Sequence, residues 1–263
     1  MKDYVEENEL ILSEWRKSNE EQGEINFADD GIMYRGAIEE SDYGTERYSD
    51  KEKENKIWDE APLRILFLTK DQNGKGCAWD VRSETGSLSY AFFRNLMYQL
   101  YGLVNTKPGH KEGYTFSNED AIELYKSYPI ARINAKKEAG NNSIENSKLK
   151  YYIERDKEFL KKQILNLDAD IIVCCGYSET IEDSGNLLLN FLKNECYFHL
   201  NQQNDDGWIY YDEKQNKIAI NNWHLSARKK SENWYNQLID AYYKFLNEHP
   251  DFSKSHRISE LNN

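Results

Sequence analysis

Apolar residues along this chain fall into two kinds of segment. Four short unbroken runs, residues 63–69 (LRILFLT), 128–133 (YPIARI), 170–175 (DIIVCC) and 217–220 (KIAI), have the length and β-branched content of strands buried on both faces. Between them apolar residues recur at helical spacing. In residues 87–103, Leu88, Phe92, Leu96 and Leu100 return every fourth position, which predicts a helix packed on a sheet, with Gly102 as its stop. Ser117 predicts an N-cap for a helix over 118–126 with Asp120 in its first turn. A long charged helix is predicted over 147–167, another near 179–194, and a last one over 231–247, capped by Ser231 and ended before Pro250. Leu10, Ile11 and Trp15 mark an amphipathic helix within 4–20. Residues Phe27–Ile38 suit a hairpin, and Cys196–Leu200 with Trp208–Tyr211 suit short strands around a turn. Alternating strands and helices predict an α/β fold: a three-layer α/β/α sandwich with a mostly parallel central sheet and right-handed crossovers. The expected division is an acidic N-terminal extension (1–60), an α/β domain (61–250) and a polar tail (251–263).

Three of the four runs break off into polar loops. The first gives Lys70-Asp71-Gln72-Asn73-Gly74. The second gives Asn134-Ala135-Lys136-Lys137-Glu138-Ala139-Gly140, and the last Asn221-Asn222-Trp223-His224-Leu225-Ser226-Ala227-Arg228. In an open parallel sheet, ligands bind outside the carboxyl ends of the strands. An acid, amides, lysines, a histidine and an arginine are therefore expected on one edge.

Composition narrows the classes. The chain has 263 residues, 39% hydrophobic and 30% charged. No apolar run approaches the roughly 20 residues that span a bilayer, so no membrane partner is expected. The opening MKDYVEENEL lacks a basic and apolar leader, so a cytoplasmic location is expected. Cys77, Cys174, Cys175 and Cys196 form no C-x-x-C pair and read as reduced thiols. His110, His199, His224, His249 and His256 are scattered, so neither a metal nor an organic cofactor is expected. Residues 1–60 hold 8 Lys/Arg against 19 Asp/Glu, a net −11 of the chain's −12, which leaves the body near −1. Arg132, Lys136, Lys137, Arg228, Lys229 and Lys230 sit in or beside the strand-end loops, so the net charge alone does not exclude nucleic acid. They are equally readable as solvated loop charge.

No G-x-S-x-G elbow and no G-x-x-x-x-G-K-[ST] loop appears, and Asn73-Gly74-Lys75-Gly76 is only a glycine-rich fragment. The strand-end loops, in their order, resemble those of the uracil-DNA glycosylase superfamily. Its first motif, roughly G-Q-D-P-Y, is matched by Leu68-Thr69-Lys70-Asp71-Gln72-Asn73, and a following Ser-Leu pair by Ser87-Leu88 with Arg94-Asn95-Leu96. The Asn-led loop is matched from Ile133-Asn134 to Ser143, the buried strand ending in glycine by Ile171–Gly176, and the closing H-P-S by His224-Leu225-Ser226-Ala227-Arg228. Both motif prolines are absent: Gln72 follows Asp71, and Leu225 follows His224. The closing loop can also be registered on an N-P-S variant of the motif, with Asn221 leading it instead of His224.

The resemblance covers residues 63 to about 247 and implies hydrolysis of the N-glycosidic bond of a deaminated or damaged, uracil-like base in DNA. A catalytic Asp71 would orient water and stabilise the cationic sugar. Asn134 would read a base edge with one donor and one acceptor. A neutral His224 would donate a hydrogen bond to the departing base. A flipped base also needs a stacking platform and a wedge. Trp79 and Phe92 are candidates for the platform, with Asn73 beside the base, and Leu225 or Arg228 for the wedge. Ser226, Lys136, Lys137, Lys229 and Lys230 would contact the DNA backbone. Each residue also has a plainer reading: Asp71 as a turn residue, Asn134 as a strand-end cap, His224 as a polar loop group. The rival functions are a non-catalytic nucleic-acid or nucleotide binder on the same scaffold, and an unrelated α/β hydrolase of a small nucleoside or sugar. A monomer is expected.

Overall fold

The computed structural model describes residues 2–41, 44–73, 77–140, 144–178, 185–203, 206–227 and 230–252. The chain opens with α1 (Tyr4–Glu21), then β1 (Gly31–Ile32), β2 (Ile38–Ser41), β3 (Gly44–Arg47) and α2 (Lys51–Asp59). It continues through β4 (Ile65–Thr69), a 3-10 turn at Val81–Ser83, α3 (Ala91–Asn105), α4 (Asn118–Ser127), β5 (Ile130–Asn134), α5 (Asn146–Leu167) and β6 (Ile171–Tyr177). The last elements are α6 (Leu187–Phe191), a π turn at Leu192–Cys196, β7 (Asn201–Gln202), β8 (Ile209–Asp212), β9 (Lys217–Trp223) and α7 (Ser231–Glu248).

Seven strands form one sheet in the order β1-β5-β4-β6-β9-β8-β7. The four central strands β5, β4, β6 and β9 are parallel, and β1, β8 and β7 close the edges antiparallel. β4 and β5 are buried along their whole length, as continuous apolar runs require. Leu66, Leu68, Ala131 and Ile133 pack with Trp15, Ile153 and Leu160 of α1 and α5 on one face. Ile65, Phe67, Val173 and Ile220 pack with Leu96, Leu100, Tyr235 and Phe245 of α3 and α7 on the other. The result is a mostly parallel sheet between two helical layers.

Several local expectations change. The hairpin expected over Phe27–Ile38 does not form. β1 instead pairs Gly31 with Arg132 and Ile32 with Ala131 of β5, and the hairpin lies later, between β2 and β3. Gly102 does not stop α3. It sits inside the helix where a Cβ would lie 2.6–2.7 Å from Ile239 and Tyr235 of α7, so the glycine permits close helix approach. Ser231 opens α7 without capping it; its Oγ accepts from Arg94 Nε at 3.3 Å. The expected strand over 196–200 is the end of a π turn followed by a turn closed by Leu200 N–H donating to Tyr197 O, and the expected helix near 179–194 is described only as α6 and that π turn. The Ser117–Asp120 capping box forms as expected. Most of the proposed polar tail, residues 253–263, lies outside the described residues.

The first 60 residues are built into the body. Asp30, fully buried, accepts from Lys137 Nζ at 2.5 Å, Gln163 Nε2 at 2.8 Å and the Asn134 N–H at 2.8 Å. Asn8 of α1 joins the group, its Nδ2 donating to Asp30 O at 2.9 Å and its Oδ1 accepting from Gln163 Nε2 at 3.0 Å. Removing one member of a buried pair leaves an uncompensated charge, a loss of about 3–5 kcal/mol. Asp30→Ala and Lys137→Met are each expected to lower stability by about that amount, and the double variant by less than their sum. Urea denaturation midpoints measure this. Losses under about 1 kcal/mol for both single variants would show that the pair does not hold the extension in place.

Candidate functional site

The parallel strands bring their carboxyl ends to one edge, and the loops after β4 and β5 continue there as a matched pair. Ala135 N–H donates to Thr69 O at 2.9 Å, Lys136 N–H to Lys70 O at 2.9 Å and Gly140 N–H to Gln72 O at 2.8 Å, with Asn73 bridged to Gly140. This ladder sets Asp71 against Gly140 so closely that a Cβ there would press into Asp71 Oδ2. Asp71 is half-buried. Burial raises its carboxyl pKa, and the positive charges of Lys136, Lys70 and Lys148 oppose the rise.

Asn134 ends β5 and is fully buried. Its Oδ1 accepts from Thr69 Oγ1 at 2.6 Å across the Thr69–Asn134 register, and its Nδ2 has no hydrogen-bond partner. A buried donor left unsatisfied costs free energy, and such a group is the first to gain from an added acceptor.

His224 follows β9 in a turn closed by Ala227 N–H donating to His224 O at 2.8 Å. The turn is pinned to α3 twice. Asn95 Nδ2 donates to Leu225 O at 2.7 Å, and Asn222 Nδ2 donates to Gln99 Oε1 at 2.9 Å. The Ser226 N–H points at His224 Nδ1 at 3.3 Å. That ring nitrogen is then the acceptor, and the proton of the neutral ring sits on Nε2. Burial lowers the His224 pKa to about 4, with repulsion from Lys70 and Arg132 in the same direction. The imidazole lies 6.3 Å from the Phe92 ring. The Arg132 guanidinium stands 4.7 Å from the centre of the same Phe92 ring while paired to Glu84. Lys70 acts electrostatically on both Asp71 and His224.

The remaining expected residues divide. Asn73 and Ser226 are exposed, and Phe92 is half-buried beside His224. Trp79 is 42% exposed; its Nε1 donates to Glu84 Oε1 at 2.7 Å, and its backbone is held at both polar atoms by the Gln72 side chain at 3.0 and 3.3 Å. Three expectations are corrected. Lys137 is fully buried on Asp30 and cannot reach a phosphate. Lys136 is buried too, donating to Glu138 O with its Nζ 4.9 Å over the Tyr152 ring. Leu225 is a core residue under α3 and not a wedge. Arg228 and Lys229 lie outside the described residues, and Lys230 is exposed before α7.

Sequence reasoning named Thr69, Gln72, Asn95 and Gly140 only as members of motifs and loops, without a role, and missed Gln99. A signal existed for one pair: Asn95 and Gln99 stand four apart on the apolar stripe of α3, where polar side chains need partners. Among the described residues no group of three or more His, Cys, Asp or Glu could hold a metal ion, and no helix is long and apolar enough to cross a membrane. Cavities of about 560 and 260 Å³ lie around the first turns of α1, and neither is lined by Asp71, Asn134 or His224. No family model matches the chain, and no curated protein matches it either.

The low His224 pKa has a measurable consequence. Between pH 6.5 and 4 the unfolded chain binds a proton at this position that the folded chain refuses. The contribution of this group is thus complete above about pH 6.5 and falls as pH drops toward 4, by about 3 kcal/mol. His224→Gln should flatten that part of the stability–pH curve, as read from denaturation midpoints at stepped pH. Parallel curves for the two proteins would show that the ring is not held neutral.

Proposed function

We propose that the carboxyl edge of the sheet hydrolyses the N-glycosidic bond of a uracil-like base in DNA, on a scaffold of the uracil-DNA glycosylase kind. One observation supports the reading: the Ser226 N–H meets His224 Nδ1 at 3.3 Å, which in a neutral ring places the proton on Nε2, and burial favours that neutral form. Breaking an N-glycosidic bond leaves the electron pair on the base, whose carbonyl oxygen gains negative charge, and the sugar becomes cationic. A neutral imidazole donor stabilises that oxygen without giving up its proton. Asp71, when ionised, orients the water that adds to the sugar carbon and takes the water's proton. Asn134 Nδ2, unpaired but fully buried, would donate to a second base carbonyl only once the end of the strand opens to the ligand.

A second reading has its own support. Lys136, Lys70 and Lys148 all act on Asp71, and their charges oppose a cationic sugar while favouring a bound anion. That balance fits a nucleotide-binding protein that does not cleave.

Single-turnover assays with uracil-containing single-stranded oligonucleotides, read as abasic-site formation, separate the two. Catalysis requires His224→Gln to lower the rate by about 10²–10³ and Asp71→Asn by about 10²–10⁴. Binding without abasic product from uracil, hypoxanthine or xanthine establishes the second reading. Product formation indifferent to His224→Gln refutes the assignment of the donor.

A further inference from the structure

The same edge carries an aromatic cluster that the glycosidic chemistry leaves unused. Tyr177 ends β6 and stands in register with Trp223, which ends β9. Trp208 precedes β8, its carbonyl accepting from the Asn221 N–H at 2.8 Å. Tyr177 lies between the two indoles, with centroids 5.3 Å from Trp208 and 4.7 Å from Trp223 at interplanar angles of 69° and 87°. All three rings are half-buried, unlike Trp15, Trp58 and Trp234 in the core. Trp223 immediately precedes His224, and the rim continues from His224 to Phe92 and Phe93. Half-exposed rings flanking a base site are what unpaired bases stack on.

The cations argue against a duplex. Arg132, Lys136 and Lys137 are buried and engaged internally. Beyond these, the described edge offers Lys70 and Lys148 beside Asp71 and the exposed Lys230, fewer than the roughly six to ten phosphate contacts of a tight duplex complex. Much of the affinity must then come from stacking, and stacking needs a base free of its partner.

We propose that the ligand of this edge is single-stranded DNA, with a nucleotide flanking the reacting one stacked on the Trp208–Tyr177–Trp223 cluster. The identity of the reacting nucleotide rests on the glycosidic reading; the stacking does not. Fluorescence titration with oligothymidylates of about four and about twelve nucleotides, beside a matched duplex, tests it. The single strands bind more tightly than the duplex, and log K against log salt has a slope no steeper than about −2. Trp208→Leu weakens single-strand binding about tenfold, and Trp208→Phe retains most of it. A measurement on the unaltered chain needs no variant: the indole N–H resonances of Trp208 and Trp223 shift on titration, and those of Trp15 and Trp58 stay fixed. Tighter duplex binding, affinity unchanged in Trp208→Leu, unmoved Trp208 and Trp223 resonances, or no saturable binding overturns the proposal. Binding with these signatures but no abasic product retires the glycosidic reading and leaves the stacking site standing. Abasic product with affinity unchanged in Trp208→Leu does the reverse.

Discussion

The Asp30 carboxylate, sealed from water, is the point on which the candidate edge depends. It compensates the charge of Lys137 and takes the backbone N–H of Asn134, the last residue of β5. Gln163 of α5 and Asn8 of α1 satisfy what remains. A buried charge is tolerable only when paired and fully hydrogen-bonded, so these groups have little freedom to rearrange one at a time. The position of Asn134 is therefore set by a residue more than a hundred positions earlier, in a segment whose composition reads as an appended acidic extension.

From that anchor the edge is assembled by backbone pairing and two side-chain clamps. The β4 and β5 loops run as a ladder past the sheet's end, which is why Asp71 meets Gly140. The His224 turn is fixed differently, through Leu225 buried beneath α3 and the amides of Asn95 and Gln99. Burial of the turn drives the imidazole neutral, and Lys70 and Arg132 reinforce it. Packing and electrostatics thus act in the same direction on His224. On Asp71 they act against each other, with burial favouring the acid and lysines favouring the carboxylate. At this edge the charge state of His224 is better defined than that of Asp71.

The central strands were legible because burial on both faces leaves a short, mostly apolar run, and length with β-branched content then favours a strand over a buried helix. Helix α4 was legible because its capping box is local. What failed was non-local. The two residues of β1 have no periodicity to detect, and their strand character comes wholly from pairing with β5. Gly102 looked like a terminator because a glycine carries no record of the helix packed against it. In the edge loops the resemblance suggested chemistry for Asp71, Asn134 and His224; the strand order brings their segments to the carboxyl edge of the sheet, with Asn134 fully buried there. Lysine type misled at Lys136 and Lys137, because sequence does not say whether an ammonium faces water or a carboxylate from elsewhere in the chain.

That last failure bears on the charge distribution itself. Acids of the first 60 residues pair with bases of the body: Glu9 with Arg82, Asp30 with Lys137, Glu24 with Arg155 and Asp59 with Arg64. The acidic extension and the near-neutral body are therefore two halves of an internal complementarity, and the split is no indicator of a phosphate-binding face. Of the body cations that the sequence reading assigns to a nucleic acid, Lys137 is paired and Lys136 buried within the fold, Lys230 is exposed, and Arg228 and Lys229 lie outside the described residues. Were a nucleic acid to bind at this edge, it would meet Lys70, Lys148 and Lys230 beside several aromatic rings, and salt would screen only the contribution of the lysines.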